Sequence, residues 1–337
     1  MTESVPPSLT VIVLNWNGAA FLTRCFQSLR TQTLRDCRVL LVDNDSTDDS
    51  LELTRRDFPE IDILELGDNL GYAEANNRAA ALCFSTYLCF LNNDTYLNTD
   101  TLETLISAAD MRPDTPILAS QQRSYDGVLP LNCGMGVDVL GFPATGAPDE
   151  GDVFYADGAC FFIRRSVFVE LGGFDSYHFM FFEEIDLCWR AWLRGYRVGI
   201  VPQALVFHKA GGTAGSSIVE GQRHETSRSK RRLTHRNQLA TLLKNYSALT
   251  LLLILPLFVA LTVGEVVLLL LTGQRSVVIG SYVQAWRDLL RDRSYVLARR
   301  RSVQATRTVT DWVILRRMHW RVAAVSQFLR TGMPTIK

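Results

Sequence analysis

The chain has no C-x-x-C pair. Its cysteines, Cys25, Cys37, Cys83, Cys89, Cys133, Cys160 and Cys188, are odd in number, and most lie inside apolar runs. That pattern argues against a zinc site and against a disulfide frame, and the thiols are expected to be reduced core residues of an intracellular protein. The N-terminal stretch MTESVPPSLT has neither a basic nor an apolar segment, so no secretory signal is expected. Net charge is also missing: 35 Lys+Arg stand against 35 Asp+Glu. The zero conceals a split. Residues 1–208 carry 14 basic and 29 acidic side chains, a balance of −15, which leaves 21 and 6 for residues 209–337, a balance of +15. An acidic half joined to a basic half implies two environments, with nucleic acid or anionic membrane as candidate partners of the second. At 47% hydrophobic and 21% charged, wholesale disorder is excluded. The 337 residues exceed what one small core needs and point to a large domain plus a further region.

What is present is an alternation. A short β-branched apolar run at Val11–Leu14 and the stretches Arg38–Val42, Ile61–Leu66 and Tyr87–Leu91 read as strands, followed by an apolar run at Ile117–Ser120. Between them, helical spacing runs through Ala19–Leu29, Thr47–Arg56, Ala73–Phe84 and Thr99–Ala109. Strands alternating with helices predict an α/β fold with a doubly wound, mostly parallel sheet. The 122–157 stretch, rich in Gly and Pro, reads as loops and short strands. Phe161–Ile163 is a further strand and Ser166–Leu171 a short helix stopped by Gly172-Gly173.

In a doubly wound sheet, ligands sit outside the carboxyl ends of the strands. Four successive strands deliver polar residues there: Asn15 and Asn17 with Gly18, then Asp43, Asn44, Asp45 and Ser46, then Asn69 and Gly71, then Asn92, Asn93 and Asp94. Turn and capping chemistry favours the same residue types, and Ser46, Asp48 and Thr99 are expected to be helix caps. The set as a whole is expected to face a ligand.

The segment FFEEIDLCWRAWLRG (181–195) reads as a helix with Glu183 and Asp186 on one face. The macrodipole alone favours acids at its start. Phe181 and Phe182 would also set these carboxylates against an apolar wall, which raises their pKa and suits a general base. One strand later His208 ends an apolar run. Asp94 and His208 together form an oxygen and nitrogen pair suited to a divalent ion, Mn or Mg, with a diphosphate supplying further oxygens.

These segments, in order, resemble the family 2 glycosyltransferases of the GT-A fold, and among them the bacterial rhamnosyltransferase-like branch. The matching stretches are VIVLNWNG, VDNDSTDDS, NLGYAEANNRA, FLNNDT, ADGACFFIRR, LGGFD, FFEEIDLCWR and the histidine of VFHKAGG, across residues 9–215. The resemblance implies that Asn15 and Asp43 contact the donor's base, and that the segment holding Asn69, Gly71 and Asn77 lines the nucleotide pocket. It implies that Asn92-Asn93-Asp94 stands at the D-x-D motif, with Asp94 and His208 on the metal. Glu184 stands where the family usually has Asp as catalytic base, with Glu183 or Asp186 as alternatives that could share or take that role. The implied enzyme is inverting. It moves a sugar, with dTDP-rhamnose suggested as donor, from a nucleotide diphosphate to a hydroxyl of a lipid-linked or cell-envelope glycan. Two competing readings are a sugar-nucleotide transferase, which normally opens with a Gly-rich basic loop where this chain has NWNGAAF, and an inactive sugar-nucleotide-binding subunit.

The expected organisation is a catalytic domain over 1–215, a basic linker or amphipathic helix over 216–248, a hydrophobic membrane segment over 249–272 and a basic helical tail over 273–337. The run LTLLLILPLFVALTVGEVVLLLL (249–271) is about long enough for one span. Arginines and lysines crowd both flanks, so a single span would place one flank on the wrong side. The segment is therefore expected to be a re-entrant or kinked hairpin, or to pack at the interface, on the cytoplasmic face of a bacterial inner membrane. The apolar run beside the charges argues for lipid and against nucleic acid.

Overall fold

The structure is a computed structural model that describes residues 6–132, 135–145, 151–209, 225–323, 325–326 and 335–336. Its strands are β1 (Leu9–Asn15), β2 (Cys37–Asp43), β3 (Asp62–Glu65), β4 (Tyr87–Asn92), β5 (Thr95–Leu97), β6 (Ile117–Ser124), β7 (Pro130–Asn132), β8 (Met135–Val137), β9 (Pro143–Thr145), β10 (Gly151–Asp152), β11 (Cys160–Arg164) and β12 (Val198–His208). Helices α1 (Ala19–Arg30), α2 (Ser50–Asp57), α3 (Gly71–Ala81), α4 (Thr101–Met111), α5 (Arg165–Glu170) and α6 (Glu183–Leu193) lie between them. The main sheet runs β10-β12-β6-β11-β4-β1-β2-β3, with β5 against β12 and β7 against β6. β1 to β4 pair in parallel, and β11 inserts antiparallel between β4 and β6. The expected α/β sheet, mostly parallel, is therefore present.

β1 and β4 are apolar along both faces because both faces are covered. Ile12, Phe90 and Phe161 lie in one core layer, and Val11, Val13, Cys89 and Phe162 in the other. The register levels the strand ends, with Asn15 opposite Asp43 and Leu14 opposite Asn92. The six described cysteines are free and five are buried; Cys133 lies outside the described residues. The expected glycine stop is also present: Gly172 and Gly173 take φ of 78° and 66°, and a Cβ on Gly173 would come within 2.6 Å of Asn77.

The expected caps are corrected. α2 begins at Ser50 and α4 follows Asp100, neither with a side-chain cap bond. Ser46 and Asp48 serve the neighbouring loop instead. The Asn17 N–H donates to Ser46 Oγ at 3.0 Å, and the Ala19 N–H to Asp48 Oδ2 at 2.9 Å.

The basic half departs further from expectation. α7 (Arg228–Asn245), in the stretch expected as a basic linker or amphipathic helix, is buried from His235 to Asn245 except for Leu243. The junction expected at 215 and 216 lies outside the described residues. α8 (Ala248–Leu271) is one continuous helix with Pro256 inside it, not a hairpin. It folds back antiparallel along α7: Glu265 pairs with Arg231, and Phe258 stacks on His235 with ring centroids 5.3 Å apart. Then come α9 (Arg275–Val277), a π-helical stretch at Val278–Val283, α10 (Gln284–Arg291), α11 (Arg293–Thr306) and α12 (Asp311–Leu315). These close over α7 through Arg232–Asp288 and through Gln304, whose Nε2 donates to the Lys244 carbonyl at 2.9 Å.

Candidate active site

The amide residues at the strand ends brace one another. Asn15 is fully buried, and its Nδ2 lies 3.3 Å from Asp43 Oδ1, 3.0 Å from Ser46 Oγ and 2.9 Å from Ser50 Oγ. Its Oδ1 accepts from Asn93 Nδ2 at 2.7 Å. Asp43 Oδ2 accepts from the Ser46 N–H at 3.1 Å. Asn17 Oδ1 accepts from the Thr47 N–H at 2.7 Å. A Cβ at Gly18 would meet Asn93 Nδ2 at 1.9 Å, so only glycine fits. Asn44, from the same strand-end set, joins the next loop: its Oδ1 accepts from the Leu70 N–H at 2.8 Å and its Nδ2 donates to Asn69 Oδ1 at 3.0 Å.

This corrects part of the expected donor set. Buried polar groups must be satisfied internally, and the groups nearest to Asn15 and Asn93 are each other and the β2 loop. Asn77 is also committed: its Oδ1 accepts from the Phe174 N–H at 2.9 Å and its Nδ2 donates to the Phe174 carbonyl at 2.8 Å. These three amides are bound into the walls. Asp45 is exposed and Asn92 half-buried at the edge, and Gly71, at φ 75°, allows the Phe179 loop to approach.

Asp94 and His208 do meet. The β5–β12 pairing puts His208 opposite Thr95, and His208 Nε2 lies 3.3 Å from Asp94 Oδ1. The Lys209 N–H donates to the Asp94 carbonyl at 3.0 Å. Burial would lower the His208 pKa, but the hydrogen bond to Asp94 and the charges of Asp94 and Asp157 outweigh it and hold the imidazole above its usual value. Among the described residues no third His, Cys, Asp or Glu completes a metal-holding group. The pair therefore fits a hard divalent ion that takes its remaining oxygens from a substrate diphosphate, and does not fit an all-protein cage.

Glu183 and Glu184 open α6, directly after Phe181 and Phe182. One oxygen of each carboxyl, Oε2, is buried without a hydrogen-bond partner. Burial, then the charge of Asp157, pushes the Glu184 carboxyl up to about 8. Burial and the neighbouring Glu184 raise Glu183 well above the ordinary range. Asp157 is the residue that sequence reasoning missed, although it lies in the quoted ADGACFF stretch. Its Oδ1 accepts from Gln122 Nε2 and from the Ala159 N–H, both at 2.9 Å. Its charge is felt by both His208 and Glu184.

Asp186 does not share this site. It points to the other side of α6, where it pairs with Arg190 at 2.8 Å and with Lys244 at 3.0 Å. Burial would raise its pKa, but the charges of Lys244 and Arg190 hold it far below the carboxylate range. It cannot act as a base for the edge that holds Asp94.

Two family models match the chain: glycosyl transferase family 2 over residues 10–172, and glycosyl transferase family group 2 over residues 149–283. The chain is 30% identical over 239 residues to N-acetylglucosaminyl-diphospho-decaprenol L-rhamnosyltransferase of Mycobacterium tuberculosis, covering 62% of this chain and 76% of that protein. It is 27% identical to the pre-mycofactocin glycosyltransferase of the same species, over 60% of this chain and 44% of that one. Among solved structures, GalNAc-T7 with UDP, GalNAc and Mn2+ superposes with a TM-score of 0.57 at 14% identity, over 71% of this chain and 48% of that one. S. aureus TarS does so with a TM-score of 0.51 at 17% identity, over 71% and 40%. The chain thus spans less than half of these two solved chains, and at such identities they speak for the fold alone.

Proposed function

The chain belongs to the family 2 glycosyltransferases, and from that premise we propose an inverting enzyme that moves rhamnose from dTDP-rhamnose to a hydroxyl of a lipid-linked envelope glycan. The choice of sugar and acceptor is supported by the Mycobacterium tuberculosis relative, whose name gives L-rhamnose and a diphospho-decaprenol acceptor. The observation that carries the chemistry is that the strand edge holds two unlike sets: Asp94 with His208 at 3.3 Å, and Glu183–Glu184 with unpartnered buried oxygens.

Asp94 and His208 would hold a Mn or Mg ion, which when bound offsets charge on the departing diphosphate. Glu184, raised to about 8, takes the proton of the acceptor hydroxyl as that oxygen attacks the anomeric carbon. Glu183, also raised by burial and by the neighbouring Glu184, stays protonated beside it and can donate a hydrogen bond to the acceptor. Asp157 keeps its neighbour's carboxyl basic through its charge. The strand-end amides fix the shape of the edge.

The acceptor would be met at a membrane surface. α8 exposes Leu249, Leu252, Leu253, Leu257, Val263, Val267, Leu270 and Leu271, while its other side runs along α7. A helix fastened lengthwise to the catalytic body supports in-plane contact with the anionic cytoplasmic leaflet, with both ends on one side. The test is to incubate purified protein with dTDP-, UDP- and GDP-sugars, Mn or Mg and lipid extract, and to follow nucleotide release. Release from dTDP-rhamnose is expected; release from another donor alone replaces the sugar assignment, and no release from any donor overturns the reading. In spheroplasts, a C-terminal tag reachable from outside would overturn the in-plane placement.

A further inference from the structure

The Glu183–Glu184 pair follows a run of backbone that bulky residues avoid. Phe179, Phe181 and Phe182 have φ of 61°, 70° and 74°. Left-handed geometry costs a residue with a Cβ ~1–2 kcal/mol. Three such residues within four positions persist only where the surroundings hold them.

Two adjacent side chains of α7 do the holding. Asn237 is fully buried, and its Nδ2 reaches the carbonyls of His178 at 2.8 Å, Met180 at 3.0 Å and Phe181 at 2.8 Å. Arg236 Nη2 donates to the carbonyls of Tyr177 at 2.6 Å and His178 at 3.2 Å. Arg236 Nε donates to Asn237 Oδ1 at 2.9 Å, which turns the amide so that its N–H bonds face the loop. On the far side the Ala73 N–H donates to the Phe179 carbonyl at 3.1 Å. A Cβ at Gly71 would lie 2.5 Å from that carbonyl oxygen, so the loop is held from both sides. Five contacts to carbonyls of the loop and of the turn just before it, residues 177–181, thus converge on two side chains, and the loop runs straight into the first turn of α6.

We propose that Arg236 and Asn237 form a carbonyl clamp that holds the Phe179–Phe182 loop in its left-handed form and so aims the Glu183 and Glu184 carboxyls. They are positioning residues and act only through the loop. The catalytic consequence rests on the glycosyltransferase reading above; the conformational one does not. The clamp also accounts for polar side chains buried in a helix whose sequence reads as a basic linker or amphipathic helix.

The test uses Asn237→Leu, which removes the donors at similar volume, and Arg236→Met, which frees the amide to turn. Hydrogen exchange at the amides of residues 179–183 is expected to rise in both while β1 and β4 stay protected. In turnover, kcat is expected to fall about 100-fold, as for catalytic groups displaced by ~1 Å, with the donor KM unchanged. Adding Phe181→Gly to Asn237→Leu restores part of kcat, because glycine takes a positive φ without strain. A purely structural role would lower the folded fraction but would not split kcat from KM or respond to Phe181→Gly. Unchanged loop exchange in both variants overturns the clamp, as does wild-type kcat in Asn237→Leu or a loss that Phe181→Gly does not relieve. If the wild-type chain releases no nucleotide from any donor, the functional reading falls, and the exchange result still decides the clamp.

Discussion

Two buried acid clusters meet on α6 and have opposite fates. Asp186 and Asp175 are almost fully buried, and Lys244 pairs with both. Arg190 adds a bond to Asp186, and the Tyr295 hydroxyl donates to Asp175 at 2.7 Å. Burial would raise both pKa values, but the charge of Lys244 carries both far below the carboxylate range. Glu184 and Glu183, two and three residues earlier, are half-buried and buried respectively, yet no cation lowers either, and both rise. Burial is common to the two clusters; counter-charge is not. With it, a buried acid becomes a fixed ion that fastens helices together. Without it, the acid stays protonated at neutral pH and is available to exchange a proton.

The comparison is broken most severely by removing the counter-charge. Lys244→Met leaves Asp175 and Asp186 facing each other in the interior, and a loss of ~3–5 kcal/mol is expected in denaturant unfolding. A loss near that of a surface substitution would mean that the ion pairs do not anchor α7. The opposite cluster behaves the other way. Glu184→Gln keeps the neutral shape and removes the base, so kcat should fall at least ~100-fold, which is ~2.7 kcal/mol in activation free energy. Stability should hold or rise. Because the folded pKa is raised, protonated Glu184 favours folding fully below the ordinary carboxylate pKa, and that contribution is lost as pH rises through about 8. Wild type should therefore lose stability from about pH 5 to about pH 8 more steeply than Glu184→Gln and run parallel to it above, while kcat/KM should rise through about pH 8.

The strand edge was legible because its residues must sit at turns: the pattern ending in Asn15, Asp43 and Asp94 marks both where strands stop and where ligands bind. What could not be read was which amides face outward. Asn15 and Asn93 lie 78 positions apart, and nothing local shows that each satisfies the other. Asp157 lies outside the four strand ends from which the polar set was read. Asp186 was assigned to the Glu183 face from i, i+3 spacing, but the partner that claims it, Lys244, comes from a helix 58 positions later. The same blindness misplaced α7. Its sequence read as a basic linker or amphipathic helix because the partners of Arg232, Arg236, Asn237 and Lys244 are carbonyls and acids distant in the chain.

Histidine sharpens the contrast at a smaller scale. His178 sits beside Lys244 with no exposed surface; burial and then that cation push its pKa down to about 3. His235, under Phe258 and Tyr282, is lowered to about 4, chiefly by burial. Unfolded chains take up these protons near pH 6.5, and the folded chain refuses them until about 3 and 4. Their stabilisation is present above 6.5 and is lost as pH falls through that window, at up to ~1.4 kcal/mol per pH unit per histidine. Between pH 7 and 5.5 this loss opposes the gain from Glu183 and Glu184, so it is read in urea unfolding as the difference between wild type and His178→Gln, about 1 kcal/mol. His178→Gln should remove part of the slope; an unchanged slope would place the titrating groups elsewhere.

The smallest expected effect tests whether burial or distance sets the strength of the Lys244 pairs. Arg38 and Asp62 approach to 2.6 Å, closer than the 3.0 Å of Lys244 to Asp186, but their side chains are 42% and 54% exposed. Water solvates both partners before and after the contact is lost, and the flexible arginine regains rotamer freedom when released. Arg38→Met keeps the apolar stem and should shift stability by no more than ~0.5 kcal/mol, with even that difference shrinking in high salt. If Arg38→Met instead cost as much as Lys244→Met, proximity would be sufficient, and the division between the two acid clusters of α6 would need another cause than the environment of each charge.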